Sequence, residues 1–154
     1  MSQKKQKEQQ LKPIKEFTGH SREIRCLLIT SDSLYSGSYD QTIKKWDLKT
    51  GKCLWTSNAK SYLFSLASYQ DIIFVCGYQI YGFLKKNGNL QIEYPTVFSQ
   101  YFFTICIHDH QLFAGNQDNF LRIFLIVSLQ FKTQNNYNKI YNKIYNYIYI
   151  YIYN

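Results

Sequence analysis

A pattern of short apolar segments recurs along this chain at a fixed spacing, and this periodicity limits the fold more than any other feature. IRCLLI at 24–29 is followed by LFSLAS at 63–68 and by FFTICI at 102–107, each an equal step along the chain. In the same way LYSGSYDQTIKKW at 34–46 returns as LFAGNQDNFLRIF at 112–124, two such steps later. The copy between them is shortened and weaker. The chain therefore contains three repeats, the second of them degraded.

Each repeat is predicted to form four short antiparallel strands. In the first repeat the strands run over about 24–29, 34–38, 42–47 and 52–56, with turn-forming Ser, Asp, Thr and Gly between them. The first two strands are almost continuously apolar or small, which predicts burial of both faces between neighbouring sheets. Four-stranded units that repeat about every 40 residues are typical of the blades of a β-propeller. We therefore predict an all-β fold of antiparallel four-stranded blades.

The predicted blades occupy residues 13–131 and divide at about 13–56, 57–94 and 95–131. A closed propeller needs about four to eight blades. Three blades are therefore expected to form an open, partial propeller. We expect a second copy or another chain to complete it, or the chain to be a truncated gene product.

The two ends of the chain differ from the repeats in composition. Residues 1–12 are rich in Lys and Gln and nearly devoid of apolar side chains, which predicts a disordered basic arm. Residues 132–154 form a low-complexity tail of Tyr, Asn, Ile and Lys, residue types that codons of A and T alone can encode. Two interpretations of the tail stay open: translated non-coding sequence, or a sticky segment with strong β-propensity.

The formal net charge of +8 comes mainly from these ends. Residues 1–15 contribute +4 and residues 132–154 contribute +3, which leaves +1 for residues 16–131. The basic ends keep RNA binding open as an alternative function. No apolar run is long enough to span a membrane, and the N-terminus lacks the apolar segment of a signal peptide. We expect a protein of the cytoplasm or nucleus without a membrane partner.

The first repeat carries a specific set of residues, namely Gly19-His20, Ser36, Asp40 and Trp46-Asp47. In these residues the chain resembles the WD-repeat β-propeller family, and the resemblance covers residues 13–131. It implies a structural tetrad in which Asp40 holds the His20 ring, His20 bonds Ser36, and Ser36 bonds the Trp46 indole. The unequal repeats are also similar to the propeller part of CCCH zinc-finger and WD-repeat proteins, although the zinc module itself is absent from the sequence.

The third repeat departs from this pattern. Ala114 stands in the place of the serine, Phe124 in that of the tryptophan, and Val97-Phe98 in that of Gly-His, although Asp118 persists. No tetrad is therefore expected in the third blade, and apolar packing must hold it.

Two groups of residues suggest chemistry, but structural roles account for both. His20, Ser36 and Asp40 have the composition of a nucleophilic triad, but the serine lies in a predicted buried strand. The residues Cys106, His108 and His110 alternate along one strand as metal ligands could, yet they align with a strand end that runs into a turn. We predict no catalytic residues, no metal site and no cofactor.

The resemblance implies that partners dock on the narrower face of the propeller. Two positions lie on that face: the residue before the turn aspartate, and the loop that leads into the first strand. Tyr39 and Gln117 hold the first position, and Arg22 and Glu23 lie in the second. The predicted function is a non-catalytic scaffold or module for protein–protein interaction. The alternatives are an RNA-binding or RNA-processing protein and a truncated gene fragment. Other aromatic residues are predicted to lie in the core, among them Tyr62, Phe64, Tyr101, Phe102 and Phe103.

Overall fold

The computed structural model describes residues 12–94 and 100–126, whose regular secondary structure consists of β-strands. Within these residues no helix is long and apolar enough to cross a membrane. The strands are β1 Ile24–Ile29, β2 Ser33–Ser38, β3 Thr42–Asp47, β4 Cys53–Asn58, β5 Ser65–Tyr69, β6 Ile72–Cys76, β7 Ile80–Leu84, β8 Leu90–Tyr94, β9 Phe102–His108, β10 Gln111–Asn116 and β11 Leu121–Leu125. The predictions about the basic arm, the Tyr-rich tail and Val97-Phe98 lie outside the described residues.

The strands form three antiparallel sheets in which each strand pairs with its neighbour in the chain. The first sheet has the order β1-β2-β3-β4 and the second the order β5-β6-β7-β8. The third, among the described residues, has the order β9-β10-β11. β5 packs against β1 on one side and β9 on the other, so the first strand of each sheet lies innermost. The described part of the chain is thus an all-β, open, partial β-propeller, and the predicted fold is confirmed.

The middle sheet is buried on both faces. Its strand β6 is an example, because successive side chains pack against different neighbouring sheets. Ile73 and Val75 pack with residues of the first sheet, whereas Ile72, Phe74 and Cys76 pack with residues of the third. This division follows from the alternation of side chains along a strand. Burial of each large apolar side chain stabilises the fold by about 1.5–3 kcal/mol. The core of the molecule therefore lies between the sheets.

The two outer sheets each expose apolar side chains to solvent. In β1, Leu27 and Ile29 are 63% and 66% exposed, and in β11, Leu121 and Ile123 are 69% and 50% exposed. The prediction that both faces of the first two strands are buried is therefore wrong for β1. Its sheet has a neighbouring sheet on only one side among the described residues.

Candidate functional site

Four polar side chains of the first blade form one hydrogen-bonded series. His20 Nδ1 lies 2.7 Å from Asp40 Oδ2, and His20 Nε2 lies 2.7 Å from Ser36 Oγ. The Trp46 indole Nε1 donates to Ser36 Oγ at 2.8 Å. Ser36 and Trp46 are each 1% exposed, so water cannot replace these partners. The structure places the four residues of the predicted tetrad in hydrogen-bonding contact, in the order Asp40, His20, Ser36 and Trp46.

With a neutral His20, one arrangement of protons satisfies every group in this series. Because the Trp46 N–H donates to Ser36 Oγ, the Ser36 hydroxyl is free to donate to His20 Nε2. The remaining ring proton then sits on Nδ1 and donates to Asp40. Each buried donor and acceptor has a partner, which is the condition for burying polar groups at low cost.

Asp40 also holds the turn between β2 and β3. Its Oδ1 accepts from the Thr42 amide at 2.9 Å and from the Thr42 hydroxyl at 2.6 Å, and its Oδ2 accepts from the Ser21 amide at 3.0 Å. Burial acts to raise the pKa of Asp40, but the hydrogen bonds from Thr42, His20 and Ser21 outweigh it and hold that pKa well below the usual range. The carboxylate therefore remains charged at neutral pH.

The third blade holds its turn aspartate with a different partner. Asp118 receives a bidentate ion pair from Arg122, with Nη1 at 2.8 Å from Oδ1. Asp118 Oδ1 also accepts from the Phe120 amide at 3.1 Å, as Asp40 does from Thr42. The Arg122 hydrogen bond holds the pKa of Asp118 below its usual value. The same tight turn thus forms without the histidine.

The two groups of residues that resembled a nucleophilic triad and a set of metal ligands are not arranged for either role. The Ser36 hydroxyl is buried and engaged on both sides, so a substrate has no route to it. The His108 and Asp109 side chains are 79% and 84% exposed, and His110 bonds the Tyr69 hydroxyl at the β5–β6 hairpin of the middle sheet. Among residues 12–94 and 100–126, no three His, Cys, Asp or Glu side chains are grouped to hold a metal ion.

The four predicted partner-contact residues lie at one end of the blades. The Tyr39 amide donates to the Glu23 carbonyl at 3.0 Å, and the Gln117 amide donates to the Tyr101 carbonyl at 3.0 Å. The two bonds join equivalent positions, because Gln117 and Tyr101 are the third-repeat counterparts of Tyr39 and Glu23. The Arg22 and Glu23 side chains are 51% and 67% exposed. All four residues therefore border a common, accessible surface.

Aromatic rings from all three blades pack together at this end. The Tyr39 ring centroid lies 5.2 Å from that of Tyr62 and 5.7 Å from that of Phe64. Phe64 contacts Tyr101 at 5.6 Å, and Tyr101 contacts Tyr78 at 5.7 Å. The interplanar angles of 43° to 78° are the tilted and edge-to-face arrangements that aromatic pairs favour.

Two arginines lie over this aromatic cluster. The Arg22 guanidinium lies 5.4 Å from the Tyr62 ring centroid, and that of Arg25 lies 5.0 Å from the Tyr39 centroid, both within cation–π range. We refer to the whole as the loop-end surface, made up of Arg22, Glu23, Arg25, Tyr39, Lys60, Tyr62, Phe64, Tyr78, Tyr101 and Gln117.

The prediction that the aromatic residues lie in the core is wrong for most of them. Phe102 is 2% exposed and belongs to the core, but Tyr62 and Phe103 are 36% and 48% exposed. Phe64 and Tyr101 are half-buried. The reason is that these residues sit at or just before the beginning of a strand, where the blade meets solvent.

The repeat spacing could have predicted that Tyr62, Tyr78 and Tyr101 belong to the loop-end surface. Tyr78 is the second-repeat counterpart of Tyr39, and Tyr62 and Tyr101 are the second- and third-repeat counterparts of Glu23. Equivalent positions in successive blades meet at the same end of a propeller. The loop-end surface is thus assembled largely from two repeat positions.

A cleft of about 310 Å³ opens in the loop-end surface. It is lined by Gln41, Lys60, Ser61, Tyr62, Tyr78 and Tyr101. The Ser61 Oγ accepts from the Tyr78 amide at 2.8 Å. A Cβ atom at Gly77 would lie 2.1 Å from the Tyr62 carbonyl oxygen, so only glycine allows this approach of the two loops.

Comparison with known proteins identifies the repeat. The family model described as WD domain, G-beta repeat, matches residues 11–47, which include the tetrad. CCR4-associated factor 4 homolog of Vanderwaltozyma polyspora is 32% identical over 109 residues, covering 71% of this chain and 14% of that protein. Zinc finger CCCH domain-containing protein 62 of Arabidopsis thaliana is 53% identical over 38 residues, covering 25% of this chain and 9% of that protein.

Solved structures agree with this match at the level of the fold. The WD40 repeats of RRP9 superpose with a TM-score of 0.66 at 16% identity, covering 71% of this chain and 37% of that one. The computationally designed Ika8 protein also gives 0.66, at 21% identity, covering 75% and 37%. The chain thus spans well under half of these structures and 14% or less of the two curated relatives named above. The match over residues 11–47 shows that the first blade is a WD repeat, and the open stack of antiparallel blades has the fold of a WD-repeat β-propeller.

Proposed function

We propose that this protein is a non-catalytic interaction module of the cytoplasm or nucleus that binds a protein partner through the loop-end surface. The observation that carries the proposal is the exposed cluster of tyrosines and arginines contributed by all three blades. Tyr and Arg are among the residues that contribute most to binding energy in protein interfaces. WD-repeat proteins generally act as protein-interaction modules.

The loop-end surface is also held in place before a partner arrives. The amides of Tyr39, Tyr78 and Gln117 are each hydrogen-bonded within the loops that carry them or to a neighbouring loop. The rings support one another, so few rotamers remain to be lost on binding. A pre-organised surface of this kind reduces the entropic cost of association.

RNA binding is the second candidate function, and the loop-end surface favours it less. Arg22 and Arg25 lie over the rings of Tyr62 and Tyr39, and this limits the stacking of bases on them. The basic arm that first suggested RNA lies mainly outside the described residues. We therefore place the protein partner first.

We also propose that a second copy or another chain covers the exposed faces of the outer sheets. Leu27 and Ile29 on one outer sheet and Leu121 and Ile123 on the other are at least half exposed. Exposed apolar patches of this kind commonly mark interaction sites.

Comparative affinity capture tests the loop-end surface. Proteins retained from a cell extract by the wild-type chain are compared with those retained by a Tyr39→Ala, Tyr62→Ala double variant and by Leu54→Ala, an exposed control on β4. Loss of aromatic hot-spot residues costs about 2 kcal/mol or more, or roughly thirtyfold in affinity. We expect the double variant to lose partners that the control retains, at equal melting temperature. Identical protein sets from all three chains would contradict the proposal.

A further inference from the structure

Among the described residues that line the loop-end cleft, Lys60 carries the one charged side chain. The other lining residues carry an amide, an aliphatic hydroxyl and three phenols, as Gln41, Ser61, Tyr62, Tyr78 and Tyr101. The Lys60 side chain is exposed, and within residues 12–94 and 100–126 it forms no ion pair. Its ammonium group is therefore available to a ligand with negative charge.

The rim of the cleft adds to this positive charge. Arg22 and Arg25 lie over neighbouring rings, and Glu23, whose carboxylate is 3.9 Å from Arg22 Nε, is the one acidic residue of the loop-end surface. Three positive charges against one negative charge leave this surface with a net charge of +2. Its field attracts anionic groups toward the cleft.

The phenols supply the hydrogen-bond donors that an anion requires. Within the described part of the chain, the hydroxyls of Tyr62, Tyr78 and Tyr101 are not engaged by other side chains. A carboxylate accepts from several donors at once while it pairs with an ammonium group, and such charge-assisted hydrogen bonds are the strong ones. A cleft lined by one cation and three phenols is suited to such a group.

We propose that the cleft binds an Asp or Glu side chain from an acidic peptide segment of the partner, with Lys60 as its counter-ion. The inference rests on the proposed function, because it names the partner chemistry at the same surface. Ligand pockets commonly measure about 300–1,000 Å³, so a cleft of about 310 Å³ accommodates one or two side chains. The arginines over Tyr39 and Tyr62 favour a peptide over nucleic-acid bases.

Retention of two peptide libraries by the immobilised full-length chain tests this inference. Both libraries are capped octapeptides with randomised flanks, one with Glu fixed at the centre and the other with Gln. We expect roughly tenfold greater retention of the Glu library, in keeping with the strength of charge-assisted hydrogen bonds. Lys60→Gln should remove most of this preference. The matched control, Lys86→Gln, alters an exposed lysine at the opposite end of the blades and should preserve it.

Equal retention of the two libraries, or a Glu preference that survives Lys60→Gln, would overturn the inference. The proposed function would still stand if the Tyr39→Ala, Tyr62→Ala variant lost its protein partners. A third arm uses a labelled polyuridine oligonucleotide. Its Lys60-dependent retention in the absence of any peptide preference would assign the cleft to RNA instead.

Discussion

At the residue scale, the His20 ring joins two different environments. Its Nδ1 faces the ionised Asp40 in the turn, and its Nε2 faces the buried Ser36, which in turn receives the Trp46 indole. The resemblance of the first repeat to the WD-repeat family implied this partnership before the structure was described. The Asp118–Arg122 pair was not predictable in this way, because Lys44, the first-repeat counterpart of Arg122, bonds the Thr56 hydroxyl instead.

Replacement of His20 tests what the series contributes to stability. His20→Ala leaves Ser36 without its acceptor and Asp40 without one donor, so we expect the free energy of unfolding to fall by roughly 1–3 kcal/mol. The measurement is urea unfolding, with His108→Ala as the control because its side chain is 79% exposed. Equal stability of the two variants would contradict a structural role for the series.

The low pKa of Asp40 predicts how stability depends on pH. Because the folded-state pKa is depressed relative to an unfolded value of about 3.9, the ionised carboxylate stabilises the fold fully above that pH. This contribution is lost progressively as pH falls toward the folded-state pKa. The difference in melting temperature between wild type and Asp40→Asn should therefore shrink below about pH 4. A difference that stays constant from neutral pH to about pH 3 would refute this account.

At the scale of elements, the turn between β2 and β3 in the first blade has the same form as the turn between β10 and β11 in the third, although the side chains differ. Gln41 and Asn119, which occupy equivalent repeat positions, have φ angles of 67° and 70°. Gln41 directly follows Asp40, and Asn119 directly follows Asp118. In each turn the aspartate Oδ1 accepts from the backbone amide of the second residue after it. Strand positions and turns of this kind follow from local residue types and could be predicted. The exposure of β1 could not, because it depends on which sheets lie beside it.

The β6–β7 turn carries the tightest requirement for glycine near the cleft. Gly77→Ala would bring a Cβ to within 2.1 Å of the Tyr62 carbonyl oxygen, so the two loops must separate. Gly115→Ala is the matched control, since its Cβ would meet only a Thr104 methyl group, at 2.9 Å. We expect Gly77→Ala to lower the melting temperature more than Gly115→Ala and to weaken partner capture. Equal melting temperatures would show that the loops are not in this close contact.

At the scale of the whole molecule, the stack of sheets has a buried centre and two apolar outer faces. Repeat proteins bury a continuous core by stacking, and their outer units need polar faces to stay soluble. Here both outer sheets expose aliphatic side chains instead, on β1 and on β11. These faces are therefore available for association.

The outer faces predict concentration-dependent self-association of the isolated chain. We expect Leu27→Lys combined with Ile123→Lys to shift the protein toward monomer in sedimentation velocity, because both residues are at least half exposed and the changes remove apolar contact area. Lys86→Gln, which leaves both faces apolar, should behave as wild type. A wild-type chain that stays monomeric at every concentration would rule out this role for the faces.

Photo-crosslinking from the two ends of the blades tests the central claim most directly. The photo-reactive residue p-benzoylphenylalanine replaces Tyr78 in the cleft or Leu90 at the start of β8, positions that are 41% and 44% exposed. A partner that docks on the loop-end surface should give a covalent adduct from position 78 and little or none from position 90. An adduct formed from position 90 and absent from position 78 would contradict the account.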